Sequence, residues 1–365
     1  MPMTDSEFAT YRLSYGDVLL NEGQSIDLVG RCAMYRNEYP APCAIQNQLV
    51  RFRAHDETSS EFASHLFRYS QHCGVLARIA LQTTSVAHLG VSRFASLELP
   101  WPRDIGEQRA IGSALTDADA LIESLEQLLV KKRQIKRGLM QELFTGHRRL
   151  PGFSERWVRT PLAQLADIRS GGTPATNQRA FWDGSIPWCT PTDITGLKGR
   201  RYLRTTSRTI SIVGLQSSSA ELIPARSVVM TSRATIGECA INVVPVTTNQ
   251  GFKNLLPRAG TNVEFLYYLL CTLKQYLETL SGGSTFLEIG KSQLSQVEVL
   301  VPRGAEEQCT IAAMLSDMDD QIEALEERVA KTVELKQAMA QALLTGRIRL
   351  LDGKAAENLE LVHAG

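Results

Sequence analysis

Residues 107–129 read EQRAIGSALTDADALIESLEQLL, and residues 307–329 read EQCTIAAMLSDMDDQIEALEERV. In the first stretch Ile111, Leu115, Ala118, Ile122, Leu125 and Leu129 recur at alternating steps of four and three. In the second, Ile311, Leu315, Met318, Ile322, Leu325 and Val329 keep the same steps. This is the heptad seam of a coiled coil, in which one apolar stripe faces a partner helix. Reading 107–150 against 307–350 gives 18 identities in 44 positions, where typical residue frequencies give about three by chance. The chain contains an internal duplication at an offset of 200.

The ends of both helices are signalled. Asp104 stands three residues before Glu107 as an N-cap and capping-box pair, with Gly304 in its place in the second copy. Both copies stop at Thr-Gly, Thr145-Gly146 and Thr345-Gly346, with glycine in the C′ position. A helix of about 40 residues at ~1.5 Å per residue is roughly 60 Å long. That length suits a spacer or partner-binding rod, the plainer alternative being two long core helices. Lys132 and Thr332 interrupt the seam at matching places. Beyond them Ile135, Leu139, Leu143 and Leu335, Met339, Leu343 continue on a rotated face, which is expected to meet a second partner beyond the twin helix.

Outward from the helices, the chain divides into a mixed first domain (1–105), the first spacer helix (106–146), a linker (147–156), a second mixed domain (157–304), the second spacer helix (305–346) and a polar tail (347–365). In the first domain, Val18-Leu19-Leu20 and Leu49 to Phe52 read as strands, Glu61 to Ile79 as helical, and Leu97 with Leu99 as a last strand before Pro100. The duplication reaches into the domains: Leu89, Gly90, Ser92, Leu97 and Leu99 match Ile289, Gly290, Ser292, Val297 and Val299, and Ser85 matches Thr285. Glu61-Phe62 aligns with Glu264-Phe265, and Val18-Leu19 with Val228-Val229. The second domain spends about 50 residues before Val228, whereas the first reaches Val18 after 17. A front piece equivalent to roughly 157–209 is therefore absent from the first unit, which reads as N-terminally incomplete.

Composition narrows the function. Lys+Arg and Asp+Glu number 39 each, so the net charge is zero, and any nucleic-acid contact is a local patch or is shared with a basic partner. Seven scattered cysteines without a Cys-x-x-Cys fit neither a disulfide framework nor a zinc site and point to a reducing cytoplasm. The most apolar run, Phe265 to Leu273, is too short to span a bilayer. Gly290-Lys291-Ser292 with Gly283 ahead of it imitates a phosphate loop, but six residues intervene where the motif needs four. His72-Cys73 is an isolated pair, and Asp117, Asp119, Asp317 and Asp319 read as solvated or partner-facing positions beside the seam. No enzyme site and no cofactor site emerge.

The binding signal is basic. Ile194 to Ala220 holds Lys198, Arg200, Arg201, Arg204 and Arg208 with no acidic residue, interleaved with Tyr202, Ser and Thr. Such a run can neutralise phosphates while Arg, Ser and Thr reach base edges, and its bland alternative is a solvated basic loop. Ser232, Arg233, Lys253 and Lys291 add donors in the second domain, and Arg31, Arg51 and Arg93 are the candidates in the first.

Ser170-Gly171-Gly172-Thr173-Pro174, Phe181 to Trp188 (FWDGSIPW) and Asp193-Ile194 resemble the opening of a target-recognition domain. The Pro, Glu-Gln, Ile, Leu, Asp pattern running into Leu-(Phe/Leu)-Thr-Gly resembles the spacer helix of the same family, the specificity subunits of type I restriction–modification systems. The resemblance covers nearly the whole chain. It implies an α+β fold in which two mixed α/β domains are joined by two long helices packed as an antiparallel coiled coil, an internal repeat with pseudo-two-fold symmetry. It also implies that each domain reads half of a bipartite double-stranded DNA site, and that methyltransferase (M) subunits and a restriction (R) subunit are the partners. The subunit itself would be non-catalytic and carry no cofactor. A protein–protein adaptor that keeps the helices without reading DNA is the alternative.

Overall fold

The computed structural model describes residues 3–82, 85–281 and 288–350. Thr285 of the repeat, Gly283 of the phosphate-loop spacing and the tail from 351 lie outside the described residues. The fold is α+β, and it separates into two compact units. One takes the described residues up to Gln127 together with those from Glu327 on, and the other runs from Leu128 to Glu326. Each long helix, Ile105–Phe144 and Ala305–Leu344, therefore begins in one unit and ends in the other.

The first long helix starts where the sequence signals it. Asp104 accepts a hydrogen bond from the Glu107 amide at 2.8 Å. The reciprocal half of a capping box is absent, because the Glu107 carboxylate turns away to take Arg349 at 2.5–2.6 Å. Both helices end on left-handed glycines, Gly146 (φ 75°) and Gly346 (φ 72°), a conformation that costs glycine little. Of the seam, Ile111, Leu115, Ile311 and Leu315 are buried almost completely, as are Leu125 and Ile322 to within 9%. Leu129, Leu325 and Val329 are half-buried, as is Ile122.

Within each unit the start of one helix packs against the end of the other, running antiparallel. In the first, Ile111 and Leu115 share a core with Leu343, Leu344 and the domain residues Phe62 and Leu66. In the second, Ile311 and Leu315 share one with Leu143, Phe144 and Phe265, the two phenyl rings 5.2 Å apart. The rotated faces thus meet a second partner beyond the twin helix, their own units' domains. Only Ile135 and Leu335 on those faces stay exposed.

The sheets explain the unequal domains. In the first unit Cys32–Met34, Val18–Asn21 and Leu49–Phe52 lie in that order, all antiparallel. In the second, Cys239–Asn242, Val228–Thr231 and Phe252–Pro257 repeat the order, with Tyr202–Leu203 added on one edge and Ala166–Ser170 on the other. Both added strands come from the stretch 157–209 ahead of Val228. Val158–Pro161, from the same piece, pairs with Glu298–Val301. The corresponding Leu97–Leu99 segment, expected as a strand, is not one: among the described residues no strand pairs with it, and a strand needs a neighbour for its backbone groups. The expected helix from Glu61 to Ile79 is two helices, Ser60–His72 and Val75–Ile79, broken at Gly74 with φ 70°. Among the described residues no helix is long and apolar enough to cross a membrane.

Candidate nucleic-acid interface

The polar contacts that hold the domains on the helices come in pairs. Glu307 is buried and takes Arg149 through two bonds of 2.9 Å and the Trp157 indole N–H at 3.1 Å. Glu107 takes Arg349 in the same way. Gln308 accepts from the amide of Asn262, the N-cap of the domain helix Val263–Leu280, at 3.1 Å. Gln108 accepts from the amide of Ser59, N-cap of Ser60–His72, at 2.9 Å. Asp319 gathers Lys136, the Tyr268 hydroxyl (2.6 Å) and Arg201 (3.6 Å). Asp119 gathers Lys336 and Arg68 (3.2 Å). So of the two expectations for Asp119 and Asp319, solvation or partner contact, the second holds: both are hubs where a domain and both helices meet. Glu, Gln, Asp, Lys and Arg stand at the same places in both copies of the repeat, and this preserved opposition of charge was the available signal.

The basic run of the second domain divides at Tyr202. On one side Arg201 has a 9% exposed side chain, bonded to the Ser316 carbonyl (2.9 Å) and Asp320 (2.6 Å), and Arg200 pairs with Glu323 at 3.3 Å. These two guanidinium groups brace the domain against the helix Ala305–Leu344. Lys198 and Arg204 are exposed, with Arg204 6.0 Å from the Tyr202 ring centroid. They line, with Arg137 and Lys274, a groove of about 880 Å³ that Asp319, Asp320, Glu323 and Glu326 also line. Lys198 is also left-handed (φ 52°), which turns the loop tip at Gly199.

On the other side Arg208 opens the short strand Arg208–Ile210, paired with Trp182–Cys189. Its guanidinium lies 3.9 Å from the centroid of Trp182 and 5.1 Å from that of Trp188, the two indoles meeting edge to face. Sequence reasoning used these tryptophans as part of a resemblance and missed their stacking on Arg208. The pairing includes a register shift between Thr209 and Ile210, whose partners are Pro187 and Trp182, that spacing does not reveal.

The Ser-Gly-Gly-Thr-Pro segment joins this platform to the next loop. A Cβ on Gly171 would run into the Asn249 carbonyl, and one on Gly172 into the backbone of Ser219 and Ala220. That close approach lets the Trp188 indole donate to the Gly172 carbonyl at 3.0 Å and sets Thr173 on the Gln250 side chain. Gln250 is exposed and adjoins Gly251, against which Arg233 lies. A chain of contacts thus runs from Arg208 through Trp188 and Gly172-Thr173 to Gln250-Gly251 and Arg233. Ala234, left-handed at φ 59°, forms the tip of the Arg233 loop.

The remaining candidates are placed as follows. Ser232 is fully buried, and Lys253 is buried beside it, 3.4 Å from its hydroxyl and 3.6 Å from Glu288. Burial pushes the Lys253 ammonium below its ordinary pKa, partly offset by Glu288. Arg233 pairs with Glu288 at 2.8 Å and keeps an exposed side chain. Lys291 is exposed at the start of the short helix Lys291–Ser295. In the first unit Arg31 is exposed, whereas Arg51 bonds the carbonyls of Arg12 and Thr10, and Arg93 those of Leu89 and His88. The structure thus brings Arg208 and Arg233 to one connected surface and sets Arg201, Ser232 and Lys253 inside the domain.

A duplicated pair of mixed domains, each locked onto the ends of two long helices, defines the class of scaffold to which the chain belongs. Residues 154–335 match the family model of the Type I restriction modification DNA specificity domain. The chain belongs to the type I restriction–modification specificity subunits. It is 40% identical over 169 residues to the type I restriction enzyme MjaIX specificity subunit of Methanocaldococcus jannaschii, covering 46% of this chain and 39% of that one. It is 23% identical over 364 residues to the putative MjaX specificity subunit of the same organism, covering 94% and 81%. The chain thus spans less than half the length of the first relative and about four-fifths of the second. The fold is that of the S subunit of a type I system from M. genitalium, with a TM-score of 0.58 and 16% identity over 92% of this chain and 84% of that one.

Proposed function

We propose that this chain is the DNA-recognition subunit of a type I restriction–modification complex. The second domain reads one half of a bipartite double-stranded site and the first domain the other, while the two helices set the gap. Helices and domains dock methyltransferase subunits, and a restriction subunit joins that assembly. The subunit does no chemistry and needs no cofactor of its own, because S-adenosylmethionine and ATP are used by its partners, and it works in the cytoplasm.

The observation that carries this reading is the repeated lock of Glu, Gln and Asp that ties each domain to both helices, in a chain whose second domain matches the specificity-domain family. A ruler has to be rigid where its reading heads attach. DNA contact falls to the side chains left free by that lock: Lys198, Arg204, Arg208, Arg233 and Lys291 in the second domain, and Arg31 in the first. Arg51 and Arg93 add charge to the first domain while their donors shape loops. Arg200, Arg201 and Lys253 hold the domain in shape, and Ser232 is closed off beneath them.

The test is a map of methylated adenines in cells carrying this chain and its methyltransferase partner, set against cells lacking the chain. An asymmetric bipartite motif that appears only with the chain is expected. The absence of any chain-dependent motif refutes the reading. A methyltransferase complex that assembles yet binds DNA no better than the partner alone would make the chain an adaptor instead.

A further inference from the structure

Resting on the DNA-reading function above, we propose that Arg208 reads a guanine in the half-site of the second domain, and that Trp182 is its positioning residue. Among the basic residues from Lys198 to Arg208, this one is held differently. Arg200 and Arg201 are paired to carboxylates of the long helix, and Lys198 and Arg204 extend from a loop. Arg208 stacks on Trp182 at 3.9 Å with Trp188 behind it, and among the described residues no carboxylate lies within ion-pair distance of it.

A guanidinium lying on an indole face has that side covered, and its N–H donors project in its own plane. The rotamer entropy that a free arginine loses on binding is already lost in the fold. A planar fork fixed in advance fits the O6 and N7 acceptors that guanine shows in the major groove, the commonest specific base contact of arginine. A phosphate needs only a nearby charge, which Lys198 and Arg204 supply without an aromatic support.

The support is itself built. Trp188 is buried and donates to the Gly172 carbonyl, and Trp182 donates to the Ala175 carbonyl at 3.2 Å. The indoles are anchored to the glycine-rich segment that also carries Thr173 and, through it, Gln250. The stack therefore stands on the same backbone as the neighbouring polar side chains of the interface, in register with them.

The experiment compares methylation motifs in cells carrying the wild-type chain, Arg208→Gln, Arg208→Lys, Trp182→Ala or Trp182→Phe, each with the same methyltransferase partner. Arg208→Gln is expected to relax one guanine position of one half-site, with discrimination there falling roughly tenfold to a hundredfold. The rest of the motif and the whole of the other half-site stay unchanged. Arg208→Lys keeps the charge and still loses most of the discrimination, because lysine has no fork. Trp182→Ala reproduces Arg208→Gln, whereas Trp182→Phe, which restores an aromatic face, keeps the wild-type motif. An unchanged motif at uniformly lower occupancy in Arg208→Gln assigns Arg208 to a phosphate and overturns the inference. So does relaxation at a position other than guanine, or a wild-type motif in Trp182→Ala. A wild-type chain that yields no motif fails one step earlier, at the DNA-reading function itself.

Discussion

Arg149→Ala separates the buried lock from ordinary surface pairing. Glu307 has a 5% exposed side chain, and Arg149, a quarter exposed, supplies two of its three hydrogen bonds. Truncating the arginine leaves a carboxylate in the helix–domain junction with only the Trp157 N–H to answer it. Breaking a buried pair by removing one partner costs about 3–5 kcal/mol, and the partial exposure of Arg149 sets the expectation at ~3 kcal/mol. With an m-value of about 3 kcal/mol per molar urea for a unit of this size, the midpoint drops by roughly 1 M. The assay is equilibrium urea unfolding followed by tryptophan fluorescence, since Trp157 sits beside the severed pair. The double variant Arg149→Met/Glu307→Met removes both charges and should recover most of the stability. At the twin site Arg349 is 53% exposed but Glu107 only 1%, so Arg349→Ala also strands a buried carboxylate and should lower the midpoint in the same direction. A midpoint shift for Arg149→Ala below about 0.3 M, or a double variant no better than the single, refutes the reasoning.

Further outcomes follow from other sites. Gly171→Ala drives a Cβ into the Asn249 carbonyl and should destabilise the second unit by more than about 2 kcal/mol, while Gly196→Ala, which meets nothing within 4 Å, should stay within ~0.5 kcal/mol in the same urea titration. Neutralising Lys198 or Arg204 should make the dependence of log K on log salt shallower by about 0.9 for each phosphate that the side chain neutralises, measured by DNA binding of the assembled complex at salt concentrations from about 50 to 200 mM. Burial, with the Arg68 guanidinium next, pushes the His65 imidazole down from 6.5 to about 4. As pH falls the unfolded chain therefore takes up this proton first. The stabilisation is whole above pH 6.5 and is lost between there and about pH 4, by ~3 kcal/mol in all. Thermal melts near pH 7.5 and near pH 5 should show this decline in the wild type and not in His65→Gln.

What the sequence made legible was the part governed by local rules. The four-three seam, the Thr-Gly stops and the strands at Val18 and Leu49 depend on periodicity and on glycine's left-handed freedom, and they stand where the spacing puts them. Leu97 and Leu99 alternate like a strand, yet a strand is a property of two segments, and within this chain the segment equivalent to Val158–Pro161 occurs only in the second unit. The candidate interface was legible as composition and opaque as geometry. Arg200, Arg201, Arg204 and Arg208 look alike in a basic run. Only the fold, which brings Asp319 and Asp320 to Arg201 across more than a hundred residues and Trp182 to Arg208 across a register shift, gives them different duties.

The reciprocal lock also has a genetic consequence. Arg149 answers Glu307 and Lys136 answers Asp319, while Lys336 answers Asp119 and Arg349 answers Glu107, so each unit takes charge partners from both halves of the gene. A mutation in one half is inherited as a defect of the unit it shares with the other, and a compensating change arises at a matching codon some 150 to 250 residues away. Conversely, the stretches where the two halves are identical mark joints at which a relative's half could be spliced in with every buried pair still met. New recognition surfaces can then be acquired by exchange of whole halves, with the lock itself left untouched.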